Sequence, residues 1–251
     1  MAPGYVTADQ VREGDPYEVS NGYRLECLPT GARGSRANLV GASVLDSDPA
    51  VKSAGVDAGF SPTPKTLRAP DIAIGDIPDA PGWIPGAPQL AVEYADIGQD
   101  ENALRKKIKD LFVAKTMYVW VVRMDGPRRV EVYKKGSKMR TVDHTGFLRA
   151  PGILKNPVPV VALYDREAAH EATLRNLLQR KGFKSVEDIQ KNGHKKGVLE
   201  GQRRTLLRQL RARFGELPGA VVTRIESEDS DMLDVWTDRI LTAQTIEEVL
   251  A

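Results

Sequence analysis

Two carboxylates and one amine are the first groups in this chain whose types and spacing suggest chemistry. Asp71 follows Pro70 at the head of the apolar run Asp71 to Gly75 (DIAIG), and Glu93 closes the run Leu90, Ala91, Val92. A proline just before a strand imposes extended geometry there, so both acids are expected on strands, among residues that would otherwise be buried. Carboxylates taken out of water need a partner. A hard divalent cation, Mg²⁺ or Mn²⁺, is one: it takes carboxylate oxygens and leaves positions for water and phosphate. In hydrolysis such an ion polarises the phosphate and lowers the pKa of its bound water.

The third group is Lys107. With Leu104 set at zero and about 100° of advance per residue, Leu104, Ile108, Leu111 and Lys115 share one inward helix face. Lys107 falls about 60° from the centre of that face, whereas Arg105, Lys106 and Lys109 turn outward. A poorly solvated lysine requires a carboxylate or phosphate beside it, and Glu93 precedes it closely enough to be that partner. Each residue has a plainer reading. Asp71 alone could cap a loop, and Lys107 could cover the core with its stem while its head reaches water. Taken together and in this order, the three favour a metal site.

These residues need elements to hold them. Up to about residue 165 the chain is short apolar runs broken by Pro and Gly. YEV and YRLECL flank Ser20, Asn21 and Gly22, a hairpin signal because Asn and Gly tolerate the positive φ of a tight turn. Further strands are predicted at Asp71 to Gly75, Gln89 to Tyr94, Tyr118 to Arg123 and Arg129 to Tyr133, with Asp125 and Gly126 turning between the last two. The one strong helical segment of this half lies between Asp100 and Lys115.

After about residue 165 helical spacing takes over, in Asp165 to Arg180 and in His194 to Phe214, the latter closed by Gly215. Thr245 with Glu248 resembles a capping box for a last short helix, and a hinge or linker is expected near Lys181 to Gly193. Gly193, Gly197 and Gly201 at four-residue spacing suggest either close approach by a neighbouring helix or a frayed linker that becomes helical only after Gly201. The arginine run from Arg203 to Arg213 is either a solvated helix face or, through Arg203, Arg204, Arg208 and Arg211 with Lys106 and Lys109, local positive surface for phosphates.

Composition sets the frame. Charged residues make up 28% and apolar residues 41% of the 251, too apolar for disorder along the whole length. No run approaches the ~20 apolar residues of a membrane span, and the start MAPGYVTADQVREGD lacks the blocks of a signal peptide. With a single cysteine, Cys27, there is no internal disulfide framework, and the expected compartment is the cytoplasm. Cys27 itself is expected to be a small strand hydrophobe. A net charge of +2 makes the whole molecule no magnet for nucleic acid, so any such attraction must come from patches.

RAPDIAI, GAPQLAVEY and KIKDLFVAKTMYVWVVR, in this order and spacing, resemble the PD, VE and lysine-to-tryptophan stretches of the Uma-type endonucleases, a branch of the PD-(D/E)XK superfamily. YEVSNGYRLE and FLRAPGI are similar to the family's opening and closing motifs, so the resemblance spans roughly residues 15 to 165. It implies a metal held by Asp71 and Glu93 with the main-chain carbonyl of Tyr94 as a further ligand. Lys107 would take the place of the lysine usually found two residues after the glutamate, here Ala95, and Glu18 would add a carboxylate to the outer shell. This chain departs from the family at Tyr94, Ala95 and Asp96 after VE, and at Ala103 and Leu111 on either side of the lysine. Residues 194 to 251 are similar to the small helical domain that ends many recombination-promoting nuclease and transposase-like proteins.

The expectations are therefore an α/β fold with a restriction-endonuclease-like mixed central sheet flanked by helices, in a nuclease-like domain over residues 1–180, and a helical C-terminal domain over 181–251. The expected activity is Mg²⁺-dependent phosphodiester hydrolysis of nucleic acid, DNA first, by a homodimer joined through its C-terminal helices, with no membrane association. The alternative is a catalytically degenerate nuclease fold that binds DNA or assembles without cutting, which the departures at Ala103 and Leu111 keep open.

Overall fold

The computed structural model describes residues 5–251; residues 1–4, the head of the segment examined for a signal peptide, lie outside them. The chain divides into two compact units, Met1–Gly182 and Phe183–Ala251. No helix among the described residues is long and apolar enough to cross a membrane.

The first unit opens with the hairpin β1 (Tyr17–Ser20) and β2 (Tyr23–Glu26), turned by Asn21 and Gly22 at φ 52° and 83°. Then come α1 (Ala32–Ser47), β3 (Ala54–Val56), β4 (Phe60–Thr63), β5 (Thr66–Arg68), β6 (Ile72–Ile74), β7 (Ile84–Pro85) and β8 (Leu90–Ala95). After α2 (Glu101–Val113) follow β9 (Tyr118–Arg123), β10 (Arg129–Lys134), β11 (Arg140–Asp143), β12 (Phe147–Leu148), β13 (Val158–Pro159) and α3 (Arg166–Arg180).

Six strands form a mixed sheet in the order β11-β10-β9-β8-β6-β3, in which only β8 and β9 run parallel; α2 makes the crossover between them. Alternation sends Ile72, Ile74, Leu90, Val92, Tyr94 and Trp120 to one face, where α1 and α3 cover them. Ala91, Ala95, Val119 and Val121 point to the other, where Leu104, Ile108 and Leu111 of α2 pack. A second sheet, β2-β1-β5-β4-β7, meets α2 along its flank. The fold is thus α/β with helices on both faces of a mixed sheet, as the strand and helix spacing predicts.

Some expectations need correction. The first half contains a second full helix, α1, whose glycines and serines blur its apolar stripe. A side chain on Gly41 would strike the Tyr94 hydroxyl, which donates to the Leu163 carbonyl at 2.8 Å, so glycine lets α1 pass close over β8. Lys115 is exposed rather than inward: α2 ends at Val113, and Lys115 takes φ 82° in the turn that follows. Cys27 lies beyond the end of β2 and is exposed, not a strand hydrophobe.

The second unit is wholly helical: α4 (Val186–Phe214), α5 (Gly219–Ser227), α6 (Ser230–Arg239) and α7 (Ile246–Leu250). Its core gathers Leu206, Leu210, Ile225, Leu233, Trp236 and Val249. The expected linker up to Gly193 is shorter, because Ser185 caps α4 by accepting from the Asp188 N–H and starts it at once. Gly193, Gly197 and Gly201 meet nothing that a Cβ would touch, so neither reading of their spacing holds among the described residues. Part of the arginine run serves the unit itself, Arg203 donating to the Glu228 carbonyl and Arg213 to those of Ile240 and Ala243. Thr245 caps α7 through the Glu248 N–H, with the Glu248 carboxylate answering at Gln244 N.

Candidate active site

The β6 and β8 register pairs Ile72 with Val92. One further step along the antiparallel ladder sets Asp71 opposite Glu93, both on the side chain face turned toward α2. The pairing is tied down by the Tyr94 N–H, which donates to Asp71 Oδ2 at 2.6 Å. Tyr94 itself brings only main chain to this side, since its ring packs on the opposite face of the sheet. On the second sheet the register pairs Val19 with Leu67, and the next step places Glu18 beside Arg68. The short segment Arg68, Ala69, Pro70, Asp71 joins the two sheets and carries a charged residue into the site from each end.

Helix α2 closes the arrangement. Asp100 caps it by accepting from the Asn102 and Ala103 N–H groups at 2.8 and 3.0 Å. With Leu104, Ile108 and Leu111 locked against the main sheet, Lys107 and, three residues on, Asp110 face the seam between the sheets. The Lys107 ammonium lies 3.1 Å from Glu18 Oε1 and 3.1 Å from Glu93 Oε2, and it donates to the Ala69 carbonyl at 2.7 Å. Its side chain is 16% exposed, those of Glu18 and Glu93 9% and 8%. Arg68, 4% exposed, donates to Glu18 Oε2 at 2.7 Å and to Asp110 Oδ2 at 2.5 Å, and the Ser20 hydroxyl also donates to Asp110.

The structure therefore brings Asp71, Glu93, Lys107 and Glu18 together. The sequence reading missed Arg68, Asp110 and Ser20. Asp110 was findable, standing three residues after Lys107 on the same helical flank, and Arg68 stands three before Asp71 in the same motif.

Electrostatics gives this cluster its character. With all groups ionised, the four carboxylates of Glu18, Asp71, Glu93 and Asp110 outnumber the two cations Arg68 and Lys107, an excess of two negative charges. Burial pushes Glu93 up to about 8, against the pull of Lys107, and the neighbouring Asp71 and Glu18 charges push the same way. Burial likewise raises Asp71, with Lys107 and the Tyr94 N–H opposing it. For Glu18 burial works upward too, but Lys107 and Arg68 outweigh it and hold the carboxyl below its ordinary value. Burial also works against the charge on Lys107, yet Glu93, Glu18 and Asp71 hold it above the usual lysine range, so it stays an ammonium.

Glu93 Oε1 is buried with no hydrogen-bond partner, a costly state for a carboxylate oxygen. Among the described residues no group of three or more His, Cys, Asp or Glu side chains is set to enclose an ion, and Glu18 is engaged by Arg68, Lys107 and the Ala69 N–H. Two carboxylates are nevertheless enough for a hard divalent ion that keeps waters and takes substrate phosphate as its remaining ligands. The orphaned oxygen fits such an ion, as does the excess of two negative charges that the cluster carries once Glu93 is ionised.

No family model matches the chain, and no curated protein matches it. Among solved structures it is similar to a protein from Anabaena variabilis ATCC 29413 described as a "putative nuclease belonging to DUF820", at 17% identity and a TM-score of 0.55. The match covers 65% of this chain and 99% of that one. At this identity the likeness is one of fold.

The raised Glu93 has a measurable consequence. Its folded pKa exceeds the value of 4.5 it has in the unfolded chain, so its contribution is fully present below about pH 4.5 and is lost as pH rises toward 8. In EDTA, urea unfolding is expected to show stability falling across pH 5 to 8 with a slope of at most about 1.4 kcal/mol per pH unit. Glu93→Gln flattens that slope. An equal slope in both proteins would show that Glu93 does not titrate there.

Proposed function

We propose that the chain is a metal-dependent nuclease of the Uma-type branch of the PD-(D/E)XK superfamily, hydrolysing phosphodiesters in DNA. The observation that carries this reading is the buried, unpartnered Glu93 oxygen in a cluster with two more carboxylates than cations. The likeness of fold to the Anabaena protein, whose description names it a nuclease, supports it.

In this reading Asp71 and Glu93 hold Mg²⁺ or Mn²⁺, with the Tyr94 carbonyl as a further ligand. When bound, the ion supplies Lewis acidity and a lowered water pKa. The remaining work falls to the chain. Lys107 orients the attacking water and offers a fixed positive charge to the phosphate where negative charge develops. Glu18 holds that ammonium in place through Oε1, and Arg68 holds Glu18 in turn. Glu18 is thus a positioning residue here, replacing the outer-shell metal role that the family resemblance implies. Incoming phosphate can draw the ammonium from one of its three present partners without breaking the other two.

A specific observation favours the opposing, non-cutting reading: all three Lys107 donors already have partners within the protein. One assay separates the two. With Mg²⁺ or Mn²⁺, purified protein is expected to nick supercoiled plasmid, and Glu93→Ala and Lys107→Met to lose at least about a hundredfold in rate. Equal background from wild type and both variants contradicts the enzyme reading and leaves the binding fold.

The helical unit is proposed to join two copies. Light scattering is expected to report a dimer for the full chain and a monomer for a truncation ending near residue 185; the same state for both would refute this.

A further inference from the structure

The flank of α2 opposite Lys107 borders a groove of about 590 Å³ that the proposed chemistry does not use. Ile108, Phe112, Val113 and Tyr133 make its apolar floor and wall, and Arg105, Lys109 and Lys135 are its charged residues. No acid lines it. Two acidic side chains of the adjoining elements are paired elsewhere: Glu131 accepts from Arg123 and from the Tyr133 hydroxyl at 2.9 Å, and Glu101 pairs with Arg123 while also feeling the Arg105 charge. Among the described residues, none of the three groove cations has an ion-pair partner within the protein. On a chain whose net charge is only +2, three cations with no ion pair of their own around two aromatic rings form a local patch of one sign.

That combination selects a ligand class. A purely anionic ligand needs no aromatic wall, and an apolar one gains nothing from three cations. A nucleic-acid strand carries both regularly spaced phosphates and flat bases, and strand-binding surfaces combine cations along the backbone with aromatic faces for bases. The width of one helix, roughly 10 Å, is about three nucleotide steps of a duplex strand at ~3.4 Å each. A strand at the acidic site is therefore near enough for its flanking nucleotides to reach the far flank of the same helix. Lys138, exposed in the turn between β10 and β11, adds charge of the same sign, whereas Lys134 lies over the Tyr118 ring on the other face of the sheet.

We propose that this groove is a second nucleic-acid contact, in which Arg105, Lys109 and Lys135 take phosphates flanking the scissile bond and Tyr133 and Phe112 take a base. The proposal rests on the nuclease reading for its substrate, and binding tests it separately from cleavage. Fluorescence anisotropy of labelled 12-nucleotide single strands and duplexes, with the full chain in EDTA, reads affinity at several salt concentrations. The combined variant Arg105→Gln, Lys109→Gln, Lys135→Gln is expected to weaken binding at least about tenfold and to lower the slope of log K against log salt by about 2 to 3. Tyr133→Leu, which keeps the apolar wall, is expected to weaken binding about tenfold with the slope unchanged. Thermal melts check that each variant is folded.

If the triple variant binds as tightly as wild type with the same slope while wild type cuts DNA, the groove is overturned and the nuclease reading stands. Groove-dependent binding by a protein that cuts nothing sinks the nuclease reading alone. Displacement of the oligonucleotide by polyglutamate at equal charge, together with no effect of Tyr133→Leu, would make the groove an acidic-peptide site and overturn the nucleic-acid assignment. A wild type that binds neither strand form overturns it as well.

Discussion

A single buried ammonium organises the first unit of this molecule. Lys107 touches a carboxylate from each of the two sheets and the carbonyl of the segment that joins them. A charge with so little exposure is stable only while those partners are present, so the position of α2, the register of β6 on β8 and the register of β1 on β5 constrain one another. The remaining cation of the cluster, Arg68, extends the same logic to Asp110 on the flank of α2. Helix and sheets are joined by charge where they meet at the seam and by leucine and isoleucine where α2 lies on the main sheet.

This way of building a seam leaves a residue of unbalanced charge. Lys107 and Arg68 satisfy Glu18 and Asp110 almost fully, while Asp71 shares one N–H and Glu93 keeps a buried oxygen with nothing to receive. A seam evolved for stability alone would be better served by matched or apolar groups, since breaking even with water is hard for buried ions. The mismatch falls chiefly on the two acids on β8 and just ahead of β6, the pair proposed to hold a cation.

How much of this was legible in the sequence follows from what each signal depends on. Asp71, Glu93 and Lys107 could be read because strand alternation and helix periodicity are local, and each residue sits against a clear apolar pattern. Arg68 and Asp110 were not read, because their significance lies in a pairing between β5 and α2 that no local period encodes. Helix α1 escaped because it buries glycine, alanine and serine as well as valine and leucine, close packing over β8 having replaced a broad apolar stripe. The reach of α4 was underestimated since its early turns carry glycines and are solvated. The Lys115 error came from extending a helical wheel past the helix end.

The claim on which the account turns is that Asp71 and Glu93 form a place for a divalent cation. Titration of the full chain with Mn²⁺, followed by loss of the free-ion electron paramagnetic resonance signal, measures this without reference to any substrate. The account predicts one ion bound by wild type and by Lys107→Met, which loses a competing positive charge along with its contacts to Glu18, Glu93 and the Ala69 carbonyl and is checked by a thermal melt to be folded, and none by Asp71→Asn or Glu93→Gln. Binding of the same stoichiometry and affinity in Glu93→Gln, or no binding by wild type, would contradict it.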